Sequence, residues 1–400
     1  MGISCMWKIG SSALALTMLA ACGEHADLVD QPVGQVTEAL NETSFDRQAV
    51  SHIRKRVGVS NSPEDWIFVC DANNKVRRRT SRRLDWGDWL TVASSFSCRT
   101  TPSLGKWPSV NAEAMGAYWR DLNSHLIEAW YNPDGTSMVT DLSNLLGLGP
   151  IAGAPTVVDQ ADLPGEVERI SVAVMKAGLN ELYTLDFYKG FWHVRPMLTA
   201  GGFVARGAGT FGVGFGPSGG GYRRPYVAIQ TSATTHTIFS RASWNDSYTP
   251  FAWTTHAPIA GVMTFLENQI EGHPIQCGNT SSGCAAYRVA GTDRIVIASL
   301  ESGGDITSRF QNALVNAGGP LWARPEGTRA GARGANGKLY TLFDPRLVES
   351  TFSRQLASSP TVMDRGVALY TSGTSNRLWL SGSAFPDPDP LDMGMDVLPH

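Results

Sequence analysis

Ala117-Tyr118-Trp119 followed by Ser124-His125-Leu126-Ile127 reads as two strands joined by a polar turn, the second strand entered through an apolar anchor. The phrase recurs upstream as Phe68-Val69-Cys70 with Asn74-Lys75-Val76, and downstream as Val172-Ala173-Val174 with Asn180-Glu181-Leu182-Tyr183. Further copies are Tyr226-Val227-Ala228-Ile229 with Thr235-His236-Thr237-Ile238, and Ala286-Tyr287-Arg288-Val289 with Asp293-Arg294-Ile295-Val296. The last two are Ala330-Gly331-Ala332 with Gly337-Lys338-Leu339-Tyr340, and Val367-Ala368-Leu369-Tyr370 with Asn376-Arg377-Leu378-Trp379. The anchors of these seven copies, at 76, 126, 182, 237, 295, 339 and 378, lie 50, 56, 55, 58, 44 and 39 residues apart. Propeller repeats run ~40 to ~50 residues, the length of a four-stranded blade.

In several copies an aromatic follows the anchor where a further strand would return: Trp89, Trp192 and Phe251. A blade cannot bury both faces alone, so sheets packed around an axis share one continuous core. A sandwich plus a second domain would not repeat one phrase at near-equal spacing. The spacing therefore predicts an all-β fold, a single seven-bladed β-propeller over 51–384. Few residues follow Trp379 to finish the last blade, and Gln48 to Val59 are expected to supply the missing strand. Residues 385–400, with Pro386, Pro388 and Pro390, resist helix and sheet and read as a disordered tail, whose Asp387, Asp389 and Asp392 offer loose cation ligands.

The N-terminus carries a different message. Lys8 precedes an apolar stretch, Ser11 to Ala20, that is too short to span a bilayer and ends in Leu19-Ala20-Ala21-Cys22. That ending resembles the lipobox of bacterial lipoproteins, which implies a signal peptide over 1–21, lipid on Cys22 and a tether over 22–50. Setting Cys5 and Cys22 aside leaves Cys70, Cys98, Cys277 and Cys284. Four cysteines allow three pairings, and closeness along the chain favours Cys70 with Cys98 and Cys277 with Cys284. The lipid bilayer is thus the first expected partner, and the cell envelope, at an outer membrane or the cell surface, is the expected location.

Composition narrows the chemistry. The chain is 42% hydrophobic and 17% charged with 42 glycines, as suits a folded, turn-rich protein, and its net charge of −3 implies no strong electrostatic partner. Arg77, Arg78, Arg79, Arg82 and Arg83 read as a solvated β-surface, since export makes nucleic acid an improbable ligand. Gly207-Ala208-Gly209-Thr210-Phe211-Gly212 matches a dinucleotide fingerprint, but Pro217 and more glycines follow where a helix is needed. Gly201 to Gly221 therefore reads as a loop. Ser103-Leu104-Gly105-Lys106 matches S-x-x-K and reads as a turn. His125 and His236 occupy a slot that is polar in the other copies, and read as surface side chains. Asn132-Pro133-Asp134-Gly135-Thr136 is partly similar to a sialidase Asp-box but occurs once. No H-E-x-x-H or C-x-x-C spacing occurs. No enzyme, cofactor or metal is expected.

The copies, above all Ser359-Pro360 to Trp379 and Gly334 to Phe343, resemble blades of the fucose-lectin-like propeller superfamily of bacteria and fungi. The resemblance implies saccharide pockets between adjacent blades, built from an Arg, a Glu and a stacking aromatic. No such trio recurs here. Glu128 with Trp130 stands in the second copy, where its counterparts are Arg78, Thr184, Phe239, Ile297, Thr341 and Leu380. Trp86, Trp89, Glu128, Trp130, Trp192, Trp244 and Trp253 are therefore the candidate ligand-binding residues, a flat ring suiting the apolar face of a sugar. Glycan binding is the expected function. The alternatives are a protein-binding scaffold on the cell envelope and, third, a glycoside hydrolase.

Overall fold

A computed structural model of the chain describes residues 49–57, 62–82, 85–107, 114–131, 137–160, 169–177, 181–188, 190–196, 211–217, 223–232, 235–240, 254–260, 262–264, 284–288, 295–299, 302, 304, 331–333, 338–343, 346–349, 354–358, 360–363, 368–373, 376–381 and 390–398. Cys22, Trp244, Trp253 and Cys277 lie outside them, as do the side chain of Cys284, the Asp-box-like turn at 132–136, and Asp387 with Asp389. Among the described residues no helix is long and apolar enough to cross a membrane.

These residues form seven antiparallel sheets, each a meander of neighbouring strands in chain order. The first holds Ser51–Val57, Ser62–Cys70 and Val76–Arg82, with the short outer strands Asp85–Trp86 and Leu90–Thr91. The second holds Ser103–Trp107, Ala114–Arg120, Leu126–Tyr131 and Ser137–Asp141. The third holds Ile151–Gln160, Arg169–Lys176, Glu181–Tyr188 and Phe191–Pro196. The repeated phrase is thus the second and third described strands of six sheets, and the first two, Gly331–Arg333 and Leu339–Phe343, of the sixth.

Side chains alternate across a strand, so each sheet has two faces to bury. Phe68, Cys70 and Val76 of the first sheet pack with Met115, Ala117, Trp119 and Ile127 of the second. The opposite face of the second sheet, Tyr118 and Leu126, packs with Ile170, Val172 and Leu185 of the third. The opposite face of the first, Ile67 and Val69, packs with Leu369, Leu378, Leu380 and Met393 of the seventh. Leu339 of the sixth sheet meets Tyr370 of the seventh. First strands touch one another in succession, Ser51–Val57 on Ser103–Trp107, that on Ile151–Gln160, and that on Phe211–Pro217. Sheets sandwiched between neighbours, with their first strands adjacent and the first sheet sealed against the seventh, make a closed β-propeller.

The blade-to-blade step has a local chemical cause. In the loop Asp71 to Lys75 the Asp71 carboxylate accepts the N–H groups of Asn73 and Lys75 at 2.9 and 2.8 Å, and Asp121 does the same for Asn123 and His125 at 2.9 and 2.7 Å. These side-chain bonds turn the backbone sharply and set Asn74 (φ 58°) and Ser124 (φ 64°) in the left-handed region. Each then offers its carbonyl to the segment leaving the blade, Asn74 to Cys98 N (2.8 Å) and Ser124 to Ile151 N (2.7 Å). The next N–H, of Arg99, crosses to Arg120 O at the end of the neighbouring blade's second strand (2.8 Å). A disulfide between Cys70 and Cys98 fastens this first step, as the spacing predicted. In the chain-entropy description a closed loop of this length contributes roughly 3 to 4 kcal/mol.

Several expectations are corrected here. The disordered tail predicted over 385–400 contains a strand, Leu391–Asp396, which pairs with Arg377–Ser381 as the fourth strand of the seventh sheet. The prolines stop short of it, and the alternation of Met393, Met395 and Val397 was its signal. Met393 and Val397 are buried at 1% and 0% exposure. The carbonyl of Asn376 (φ 51°) accepts Val397 N at 3.2 Å, and Leu398 N crosses to Cys70 O at 2.9 Å. Residues 397 and 398 thus repeat, from blade seven to blade one, the step that 98 and 99 make from blade one to blade two. Gln48 to Val59 do not finish the last blade, because Ser51–Val57 pairs with Ser62–Cys70 of the first. Ala49 and Val50 are already buried, so the core begins just inside the expected tether.

Ser103 to Lys106 form a strand rather than a turn, and Gly105 is needed there because a Cβ would stand 2.3 Å from Ile170 Cδ1. Within the expected loop Gly201 to Gly221, Phe211–Pro217 is a strand whose alternation of glycine with Phe211, Val213 and Phe215 is a period of two. Asp392 is engaged by Arg377 at 2.9 Å, a protein cation in place of a metal ion.

If the C-terminal strand closes the ring, Met393→Ala should cost roughly 2–4 kcal/mol in chemical denaturation, and a chain ending at Pro390 should lose its cooperative transition. A fraying tail would leave both unchanged within about 0.5 kcal/mol.

Candidate functional site

Between neighbouring blades the outer strands splay apart, and each seam must fill that wedge. In three described seams an arginine lies on aromatic rings. Between blades one and two the Arg78 guanidinium stands 4.3 Å from the Trp66 ring centre and 5.2 Å from Tyr131. Burial pushes the Tyr131 hydroxyl up to about 12, against the pull of Arg78. Between blades seven and one Arg79 stands 6.0 Å from Trp86 and 5.7 Å from Trp89. Both Arg79 and the Trp89 indole donate to the Met393 carbonyl at 2.9 Å. Between blades six and seven Arg354 stands 3.8 Å from Trp379. Such cation–π contacts favour the cation where it is partly desolvated. The arginines expected to form a solvated surface are therefore, at 78 and 79, wedge fillers, and Trp86 and Trp89 belong to the clasp that shuts the ring.

The seam between blades two and three is built differently. The hairpin loops superimpose Asp71 on Asp121, so Glu128 stands where blade one has Arg78, and Tyr118 where it has Phe68. Cross-strand register places Tyr118, Glu128 and Thr140 in one row and Gly116, Trp130 and Met138 in the next. The Tyr118 ring leans over Gly116, where a Cβ would lie 2.5 Å from its hydroxyl oxygen. From there the hydroxyl donates to Glu128 Oε1 at 2.9 Å. Blade three supplies the facing wall. Trp192 meets Tyr118 edge-on at 6.1 Å and Phe187 at 5.3 Å, and Val194 pairs with Leu185 on the same face.

Three of the sequence-predicted residues, Glu128, Trp130 and Trp192, thus line one bay. The same reasoning missed Tyr118, Gly116, Thr140, Met138 and Val194. Equal loop lengths carried the signal for Tyr118, because they set it opposite Glu128. Glu128 is only 7% exposed, while Met138 is 60% exposed and Val194 39%, so the bay has a buried acid at its floor and an apolar, open rim. Among the described residues no arginine or lysine is paired with Glu128. Burial therefore dominates its chemistry and lifts its carboxyl to about 7, against the Tyr118 hydrogen bond that lowers it. The same burial, with Glu128 beside it, drives the Tyr118 hydroxyl well above its ordinary range. Strongly perturbed groups of this kind cluster at functional sites.

The opposite face of blade three gathers a second set of polar groups. Asp186 accepts from the Ser171 hydroxyl at 2.6 Å and lies 3.6 Å from Arg195, which donates to the Tyr188 hydroxyl at 3.0 Å. His193 stacks on Tyr188 at 4.1 Å, and burial with the nearby Arg195 lowers its pKa against the pull of Asp186. His125 is bound as well, its Nδ1 lying 2.8 Å from Asp141, the N-cap of the helix Leu142–Leu146. Among the described residues no group of three or more His, Cys, Asp or Glu is placed to hold a metal ion.

No protein-family description matches the chain, and no curated protein does. Among solved structures it is similar to the Aleuria aurantia lectin in complex with alpha-methyl-L-fucoside, at 13% identity over 88% of this chain and 96% of that one, with a TM-score of 0.42. It is similar to AofleA from Arthrobotrys oligospora at 10% identity over 89% of each chain, TM-score 0.44. It is also similar to a puromycin hydrolase at 11% identity over 88% of this chain and 55% of that one, TM-score 0.48. These likenesses concern backbone arrangement alone. The Aleuria lectin has a six-bladed propeller, whereas seven sheets are described here.

A carboxyl raised in the folded state binds its proton more tightly than in the unfolded chain, so its stabilising effect is full at low pH and is lost as pH rises toward 7. Replacing it by the neutral isostere, Glu128→Gln, keeps an acceptor for Tyr118 and should leave stability unchanged near pH 4. Above pH 7 the variant should be the more stable, by at most about 3 kcal/mol. Denaturation curves across that range check this, and a constant difference would contradict it.

Proposed function

We propose that this protein is a non-enzymatic, lectin-like propeller that binds saccharide in the seam between blades two and three and is held at a membrane by lipid on Cys22. The observation that carries the binding site is Glu128: a carboxylate nine-tenths buried, fixed by Tyr118, at the floor of a bay rimmed by Trp130, Trp192, Met138 and Val194. Keeping such a group ionised opposes folding, so its presence is best explained by what it binds. The half-buried Trp130 and Trp192 offer flat apolar surface to sugar C–H groups, while the carboxylate and Thr140 take hydroxyls.

Glycoside hydrolysis is the less favoured reading. Its usual machinery needs two carboxyl groups ~5 to ~9.5 Å apart across the scissile bond, and Asp186 of the next blade faces the following seam. The anchor rests on Leu19-Ala20-Ala21-Cys22 and on the cysteine arithmetic, in which removing Cys5 and Cys22 leaves an even number for disulfides. The observed Cys70–Cys98 pair supports that arithmetic for one bond. Two or more acyl chains hold a protein stably, whereas one does so only marginally.

A glycan array probed with the full chain should give signals that fall at least about tenfold in Trp192→Ala, a loss of one stacking face. Silence across the array would move the assignment to the protein-binding scaffold. In membrane fractions, Cys22→Ser should appear in the soluble fraction, still folded, and its retention with the membrane would overturn the anchor.

A further inference from the structure

We infer that Gly116 is a positioning residue of the seam between blades two and three: the space over its missing side chain seats the Tyr118 phenol, and that seat holds Glu128 in place to receive saccharide. The inference rests on the saccharide reading and says what fixes its central group. Gly116 and Tyr118 are two apart on the strand Ala114–Arg120, so they share the face turned to blade three. A Cβ at 116 would lie 2.5 Å from the Tyr118 hydroxyl oxygen and 2.7 Å from both Cε2 and Cζ, and Cβ atoms do not come within 3.0 Å of a neighbour. The backbone makes no such demand. Gly116 lies outside the left-handed region, in extended strand that alanine adopts freely. The ring therefore requires glycine here, although glycine inside a strand weakens it.

The neighbouring blade shows the other solution. Trp66, Phe68 and Arg78 are the blade-one equivalents of Gly116, Tyr118 and Glu128, set in the same cross-strand register. There the Trp66 indole fills the position and carries Arg78 at 4.3 Å. In blade two the phenol of the next row lies over the glycine, and its hydroxyl reaches Glu128 Oε1 at 2.9 Å. The ring cannot retreat from an added methyl, because Tyr118 is fully buried, packed with Ile170, Val172 and Leu185 and met edge-on by Trp192 at 6.1 Å. An alanine at 116 would displace the phenol and break its bond to the carboxyl. That bond opposes the upward pull of burial on Glu128, so its loss leaves a carboxyl less ionised at neutral pH and less firmly held. Sugar hydroxyls bond most strongly to an acceptor that is ionised and already in place.

The test is Gly116→Ala in the full chain, read by the glycan array and by the titration of Glu128 followed through its carboxyl carbon in NMR. Array signals at pH 7 should fall at least about tenfold, as for a lost hydrogen bond to a charged group, and the titration should move to higher pH. Tyr118→Phe should do the same. Adding Gly116→Ala to Tyr118→Phe should then change the signals less than about twofold, because the bond is already gone. Unchanged binding, a titration that stays in place, or losses that multiply in the double variant would overturn the inference and leave the saccharide reading standing. If Gly116→Ala alone fails to fold, Tyr118→Leu, which takes the ring away, should restore folding to it with the urea midpoint of Tyr118→Leu by itself, and no restoration would overturn the inference. An array silent for the unaltered chain would remove the saccharide reading, while the Glu128 titration still decides whether Gly116 seats its partner.

Discussion

Ring closure rests on one backbone arrangement used more than once. A loop residue held in the left-handed region turns its carbonyl to the segment leaving the blade, and the next N–H of that segment crosses to the neighbouring blade. Asn74 with Cys98 and Arg99 make this step from blade one to blade two, and Asn376 with Val397 and Leu398 make it from blade seven back to blade one. The acceptor at the end of that last step is Cys70 O, in the residue whose sulfur already binds Cys98. Both steps therefore converge on the end of one strand. A ring whose last blade failed to make this contact would expose Ile67, Val69, Leu378 and Leu380, all fully buried at 0% exposure, at roughly 1.5 to 3 kcal/mol for each side chain returned to water.

Closure also creates the functional problem that the seams solve. Blades radiate from an axis, so their outer strands diverge and leave wedges that the inner aliphatic core cannot fill. Arginine on tryptophan fills the wedge with a long amphipathic side chain and leaves the charge near water. Among the described residues the wedge between blades two and three has Glu128 where blade one has Arg78. It holds a carboxylate whose ionisation costs stability at neutral pH, and an apolar rim left open. Stability given up at one seam, while its neighbours are stabilised, is the pattern expected where a fold carries a binding site.

Much of the fold was legible in the sequence, because the repeated strand, turn and anchor depend on local chemistry. Asp71 and Asp121 cap their own loops, and an apolar residue must follow to enter the core, so the phrase survives even where the rest of a blade has diverged. The closing strand was not legible in the same way. Pro386, Pro388 and Pro390 dominate its approach, and its short period of Met393, Met395 and Val397 gains meaning only beside blade one. Gly105 misled because glycine marks a turn in isolation, but here it marks a close approach to Ile170 of the next blade, and the glycines of Phe211–Pro217 misled because they alternate within a strand. At the site, Glu128, Trp130 and Trp192 were singled out as residue types suited to sugars. That Trp192 reaches across from blade three, that Tyr118 holds Glu128 and that Trp86 and Trp89 serve closure are consequences of register and of which face each strand turns. Those depend on pairings that only the folded sheet fixes.

Native-state hydrogen exchange read at single amides is the most direct measurement of whether the ring is closed by its C-terminal strand. If it is, the N–H groups of Val397 and Leu398 exchange only through global unfolding, with the same free energy as Cys98 and Arg99 in the equivalent step. Exchange of Val397 and Leu398 at a free energy near zero, with Cys98 and Arg99 still protected, would show an open ring and contradict the account.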